Sequence, residues 1–251
     1  MDWQHLSTQE HARHRFDTAL LPIGTIEAHA GAPVGVDNFI PDALCARLSE
    51  TLAIPRLPVM PFGVTRSLLA YPGSCGISEE LMTRFLIELG VSLRRHGLRY
   101  LFVIDGHGGN LDALTAGAQR LYEEHGLFTA VIEWWFEAEA HAEEIFGRGG
   151  FGHAAVDELG LLAGLRPDLA PAIPRETVPA YYVYPGVTVY PVPRPVIVSE
   201  PTDNPVDLSR LTPERCELFA TEVTDLLAGI IRDILAGWRA IPGSSERKDP
   251  S

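Results

Sequence analysis

The stretch of this chain best suited to chemistry is Asp105-Gly106-His107-Gly108-Gly109-Asn110, where an apolar run stops at one histidine held between glycines. About eighty residues upstream, Glu27 and His29 stand two apart, with Asp37 in the same loop, and Glu158 lies downstream. Glu27, His29, Asp37, His107 and Glu158 make a carboxylate and imidazole set of the kind that holds Zn²⁺, Mn²⁺ or Fe²⁺. Residues two apart on an extended backbone point the same way, so Glu27 and His29 can each face one of two neighbouring ions, with Asp37 bridging them. Two divalent ions about 3.5 to 4 Å apart bind one water as hydroxide at neutral pH and polarise a carbonyl for attack.

Each residue also has an ordinary reading. Gly106 to Asn110 reads equally as a tight strand-to-helix turn with Asn110 as N-cap, or as an anion cradle at a helix N-terminus, although no Lys or Arg flanks it. Glu27 reads as a helix-terminal carboxylate, Asp37 as an N-cap and Glu158 as a surface acid. Taken together these readings weaken, because Glu27, His29, Asp37 and His107 all fall just past the ends of predicted buried strands.

Those strands are Ala19 to Gly24, Arg99 to Ile104 and Leu127 to Glu133, continuous apolar runs of the sort buried on both faces of a parallel sheet. In such sheets ligands bind beyond the carboxyl ends of the strands. Leu57 to Pro61 reads as a further short strand. Helices are expected from Ser7 to Phe16 with a Ser7–Glu10 capping box, from Pro41 to Leu52, from Ser78 to His96, and from Leu111 to Gly126. Others are expected over Glu137 to Ile145, through Leu165, and from Thr212-Pro213 to Ala236. Trp134-Trp135-Phe136 ends a strand and either walls a pocket or fills the core. His153 and Glu158 are five apart, so they reach one site only if His153 precedes its helix. Pro171 to Pro205 has no helical period and reads as short strands or a lid-like excursion.

The 251 residues suit one α/β domain, placed at 1–243, with a polar tail over 244–251 expected to be disordered. A net charge of −13 argues against nucleic acid or an anionic membrane as partner. Cys45, Cys75 and Cys216 are odd in number and far apart, which argues against a disulfide framework. With no signal pattern and no run long enough to cross a bilayer, the expectation is a soluble cytoplasmic protein.

Pro22-Ile23-Gly24-Thr25-Ile26-Glu27-Ala28-His29, Asp37, Gly106-His107-Gly108-Gly109-Asn110 and Gly152-His153-Ala154 with Glu158 together resemble the creatininase (creatinine amidohydrolase) family. Tyr71-Pro72-Gly73 also resembles its proline-glycine loop, and the likeness runs from about Leu20 to Leu165. The resemblance implies a three-layer α/β/α sandwich with a largely parallel central sheet, two divalent metal ions per subunit and hydrolysis of cyclic amides or other C–N bonds in a small-molecule substrate. It also implies a homo-oligomer, often a hexamer. By position, Glu27 and His107 would hold one metal, His29 the other and Asp37 both. His153 matches a histidine that helps protonate the leaving nitrogen, and Trp135 a substrate-contacting tryptophan.

Three departures stand out. The family's His-Gly-Pro-His is here His29-Ala30-Gly31-Ala32, one residue closer to Asp37, and Gly109 stands where creatininases carry a glutamate. Val156 and Gly160 replace a glutamate and a serine. The second metal therefore needs another carboxylate, for which Glu158 is the candidate, and creatinine itself is not the expected substrate. The resulting expectation is a metal-dependent amidohydrolase cleaving a C–N bond of a small cyclic or related amide through a metal-bridging hydroxide. His153 and Glu158 are its catalytic residues. Trp134, Trp135, Tyr71, Ser74, Gly108 and Gly109 are its substrate contacts. The alternatives are a non-catalytic binding protein on the same scaffold, or a hydrolase of a lactone, formamide or cyclic ketone.

Overall fold

The computed structural model describes residues 1–173, 180–182, 187–194, 196–199 and 206–242; the tail over 244–251 and much of the Pro171 to Pro205 stretch lie outside the described residues. Three parallel strands form the main sheet in the order β1 (Thr18–Ile23), β2 (Tyr100–Asp105), β3 (Phe128–Glu133). Every residue of β1 and β2 is buried. The registers run Thr18↔Tyr100↔Phe128 through Ile23↔Asp105↔Glu133, so all three strands end level and release their chains on one edge. That common edge is what lets residues far apart in sequence meet.

The segment expected as a strand from Leu57 joins β1 through two isolated bridges, at Arg56 and Met60. Pro55, Pro58 and Pro61 lack the N–H groups that a full ladder needs.

Alternate residues of each strand feed two separate cores, as a period of two requires. Leu20, Phe102 and Ile104 pack with α2 (Val36–Leu52), α5 (Trp134–Phe146), α6 (Val156–Leu165) and α7 (Pro213–Arg239). Ala19, Leu21, Ile23, Leu101 and Val103 pack with α3 (Glu79–Arg95) and α4 (Leu111–His125). The fold is thus an α/β/α sandwich around a parallel sheet.

Local signals explain three of the helix starts. Ser7 and Glu10 form the capping box of α1 (Thr8–His14), and the Ser78 and Thr212 hydroxyls cap α3 and α7. Helix α2 begins at Val36 rather than Pro41, which puts Asp37 in its first turn with Pro41 inside. Helix α5 follows β3 with no intervening loop, starting at Trp134 rather than Glu137, and α7 runs past Gly237 to Arg239. The small strand β4 (Gly152–His153) pairs antiparallel with β6 (Val198–Ser199), and β6 pairs parallel with β5 (Tyr181–Tyr182). His153 therefore precedes α6, as a shared site with Glu158 requires. Among the described residues no helix is long and apolar enough to cross a membrane.

Candidate metal centre

The chain leaving β1 carries Glu27 and His29 into a tight turn closed by the Ala32 N–H donating to the His29 carbonyl at 2.8 Å. Ser74 holds this turn from outside, its Oγ accepting the Ala28 N–H at 2.9 Å. Asp37 comes from the first turn of α2, His107 from the edge beyond β2, His153 from β4 and Glu158 from α6. All of them converge.

Nε2 of His29 lies 3.0 Å from Asp37 Oδ1 and 3.4 Å from Glu158 Oε2. Nδ1 of His107 lies 3.1 Å from Asp37 Oδ2 and 3.4 Å from Glu27 Oε2. The two Asp37 oxygens thus face two different histidines, the arrangement of a bridging carboxylate. Two clusters with metal-ligand spacing result: Glu27, Asp37 and His107 in one, His29, His153 and Glu158 in the other.

Each imidazole is oriented by a backbone carbonyl. His29 Nδ1 lies 2.9 Å from the Glu27 carbonyl, His107 Nε2 3.1 Å from that of Val64, and His153 Nε2 2.8 Å from that of Ala28. A carbonyl only accepts, so those nitrogens carry hydrogen and the opposite nitrogen of each neutral ring is left with a lone pair aimed at the carboxylates. Glu27 Oε1, His29 Nε2 and both Asp37 oxygens are buried without an aligned hydrogen bond. Such atoms fit a cation.

Charge balance leads to the same place. Burial opposes a charged His107 ring, but Glu27, Asp37 and Asp105 outweigh it and push the group up to about 10. Burial likewise opposes charge on His29, and Asp37 and Glu158 raise it well above the ordinary histidine value. Burial works against the Asp37 carboxylate too, yet His29 and His107 hold it far below the usual range. Without a cation, the carboxylates keep protons on the rings; a divalent ion would take the protons' place.

A cavity of about 220 Å³ opens on this cluster, lined by Asp37, His107, Gly108, Trp134, Trp135, His153 and Glu158 among others. Trp134 is buried and packs edge-on against half-buried Trp135 at 5.9 Å, with its indole N–H unpaired. Tyr71 and Ser74 lie outside that lining: Tyr71 donates its hydroxyl to the Val192 carbonyl at 2.6 Å, while Ser74 supports the Glu27 turn. Gly108 leaves open space, a Cβ there meeting only Trp135 Cζ2 at 3.7 Å. Gly109 is glycine for a packing reason, because a Cβ would fall 2.3 Å from the Val64 carbonyl oxygen and 2.5 Å from His107 Nε2. No larger residue fits there while His107 keeps that bond.

Sequence reasoning missed the supporting groups. Asp105 is fully buried, and burial raises its carboxyl to about 7 against the pull of Asn110 and His107. Asp157 lines the cavity, and burial raises it likewise to about 7. Asn110, expected as an N-cap, makes no cap bond and turns its amide inward. An acidic residue ending a buried strand was the one visible signal for Asp105. The Val64 and Ala28 carbonyls had none, since every residue carries one.

The family model for creatininase, described as creatinine amidohydrolase, matches residues 1–230. Creatinine amidohydrolase of Pseudomonas putida is 25% identical over 189 residues, covering 66% of this chain and 73% of that protein. Mycofactocin precursor peptide peptidase of Mycolicibacterium smegmatis is 28% identical over 125 residues, 47% of this chain and 50% of its own length. A solved structure described as "Creatininase Mn" superposes with a TM-score of 0.76 at 23% identity, covering 92% of this chain and 97% of that one. With a family match from residue 1 to residue 230 and the sandwich fold of solved creatininases, the chain belongs to the creatininase family.

Proposed function

We propose that the protein is a metal-dependent amidohydrolase cleaving a C–N bond of a small amide. Glu27, Asp37 and His107 would hold one divalent ion and His29, Asp37 and Glu158 a second. The observation that carries this reading is the convergence of buried ligand atoms that lack an aligned hydrogen bond among the described residues: Glu27 Oε1, His29 Nε2 and both Asp37 oxygens, with the Asp37 oxygens 3.0 and 3.1 Å from two different histidines. A bound cation would take the place of the ring protons that these carboxylates otherwise hold. When present, Zn²⁺, Mn²⁺ or Fe²⁺ would supply Lewis acidity toward a carbonyl and a more acidic water.

The remaining work falls to the chain. His153 keeps Nε2–H on the Ala28 carbonyl, so Nδ1, which lies 3.8 Å from Glu27 Oε2, is free to take a proton and return it to the departing nitrogen. Glu158 is steered toward His29 by the Ala154 N–H, which donates to its Oε2 at 2.6 Å. Half-buried Trp135 with Gly108 walls the cavity, and buried Trp134 backs Trp135 edge-on. Tyr71, Ser74 and Gly109 contribute at one remove, by holding loops and leaving room. A volume of about 220 Å³ suits a compact amide, cyclic or short. A neighbouring groove of about 400 Å³ shares His107 and Gly108, which supports a short linear amide as the alternative to a ring.

The test is to strip metal with a chelator, add back Zn²⁺, Mn²⁺ or Fe²⁺ separately, and screen cyclic amides beside short peptides. Hydrolysis restored by metal is expected, and hydrolysis indifferent to metal would overturn the reading. Trp135→Phe, which trims the half-buried wall of the cavity, should raise KM while leaving metal content intact. The homo-oligomer implied by the family belongs to the same proposal, and light scattering that gives a monomer would remove it.

A further inference from the structure

A closed ring of hydrogen bonds surrounds His107. The fully buried Asn110 accepts the Val64 N–H on Oδ1 at 2.8 Å and donates through Nδ2 to Asp105 Oδ1 at 3.0 Å and to the Gly24 carbonyl at 3.3 Å. Asp105 Oδ1 also accepts the His107 backbone N–H at 3.1 Å, and the Val64 carbonyl takes the His107 Nε2–H at 3.1 Å. Asn110 therefore reaches His107 by two routes: through Asp105 to its backbone and through Val64 to its ring.

From this geometry we infer that Asn110 is a positioning residue for His107, selecting the tautomer that presents Nδ1 to Glu27 and Asp37. When the ring gives up a proton to bind metal, the nitrogen bonded to a carbonyl keeps its hydrogen, which leaves the other nitrogen as the lone pair. Release residue 64, and that choice is lost. Two glycines show how closely the ring of bonds is fitted. A Cβ on Gly63 would fall 2.4 Å from Asn110 Oδ1, and one on Gly109 2.5 Å from His107 Nε2. The chain comes this near only where side chains are absent. Asn110 thereby serves one half of the centre, since no contact in the ring touches His29 or Glu158.

The inference rests on the two-metal reading, so its test separates the two. Asn110→Ala is compared with Leu114→Ala, which removes a fully buried side chain from the helix that follows Asn110 and controls for lost stability. Loading with Co²⁺ and titrating with a competing chelator should show one ion of Asn110→Ala weakened about 10- to 100-fold with an altered visible spectrum. The other ion should be unchanged, and Leu114→Ala should keep both. In the metal-free proteins, whose His107 ring carries both protons near neutral pH, ¹⁵N–¹H NMR should find the His107 Nε2–H exchanging slowly with water in the wild type and in Leu114→Ala, and rapidly in Asn110→Ala, where its bond to the Val64 carbonyl is loosened. If Asn110→Ala keeps slow exchange at that proton, and keeps two wild-type Co²⁺ sites where the wild type has two, the inference is overturned. A wild type that binds no Co²⁺ refutes the metal reading, and the NMR comparison still decides the role of Asn110.

Discussion

The two ends of the central sheet hold cavities of opposite character. At the amino end, a space of about 500 Å³ is bordered by Arg15, Asp17, Ala53 and Arg239. Its Arg239–Asp17 pair, at 3.1 Å, is about half exposed on each side. At the carboxyl end the cavity is about 220 Å³, yet it opens on buried atoms without aligned partners. The larger space is the less equipped one. Polar groups at the amino end are open to water, whereas at the carboxyl end they are buried and must find partners within the protein or in a ligand.

Backbone strain divides in the same way. Among the described residues, four that are not glycine adopt positive φ: Arg15, Ala30, Ala53 and Ala154. Arg15 and Ala53 are left-handed C-caps ending α1 and α2 beside the amino-end cavity, an ordinary way to stop a helix. Ala30 and Ala154 directly follow His29 and His153. Strain at the carboxyl end accompanies the side chains that the proposed chemistry uses.

The largest expected effect is that of Asp37→Asn. It should lower metal affinity by more than about 100-fold, beyond what loss of a supporting contact costs, and abolish hydrolysis while circular dichroism stays native. Retention of two tightly bound ions would break the contrast between the ends. Next comes Gly109→Glu, which restores the family's glutamate by position. Its Cβ would collide with the Val64 carbonyl, so metal content measured by atomic absorption should fall rather than rise.

A smaller effect concerns protons. In the metal-free protein His107 sits at about 10 and His29 is also raised, so each must lose a proton for its ion to bind. Affinity should therefore weaken as pH falls, by about tenfold per pH unit for each proton displaced. Calorimetry in buffers of different ionisation enthalpy should detect proton release at pH 7, and none would contradict the competition described above. Ala53→Gly should stabilise by no more than about 1 kcal/mol, relieving the left-handed cap, with hydrolysis unchanged. Asp17→Asn, breaking a half-exposed pair, should move stability by less than about 1 kcal/mol in thermal melts. A large loss of activity from either amino-end change would show that the ends are not independent.

Several features could be read directly from residue order. Buried strands announced themselves as apolar runs, and Ser7, Ser78 and Thr212 marked helix starts through chemistry that acts within a few residues. Glu27, His29 and His107 were conspicuous as polar residues placed just past such runs. Asp37 was legible as a ligand type but was assigned to a loop, because Pro41 suggested a later start for a helix that in fact contains it. Asn110 looked like a cap because its neighbours are a turn and a helix. Its amide instead bonds Gly24, Val64 and Asp105, two of them dozens of residues away.

Residue order determined which groups this protein owns and which short segments are strand or helix, since both depend on neighbours along the chain. The folded arrangement alone decided that three strands end level, that Asp37 turns one oxygen to each of two histidines, and which nitrogen of each ring is left bare. Those outcomes depend on register and on the backbone carbonyls of Glu27, Ala28 and Val64. A carbonyl group is common to every residue, so only packing selects the ones that matter.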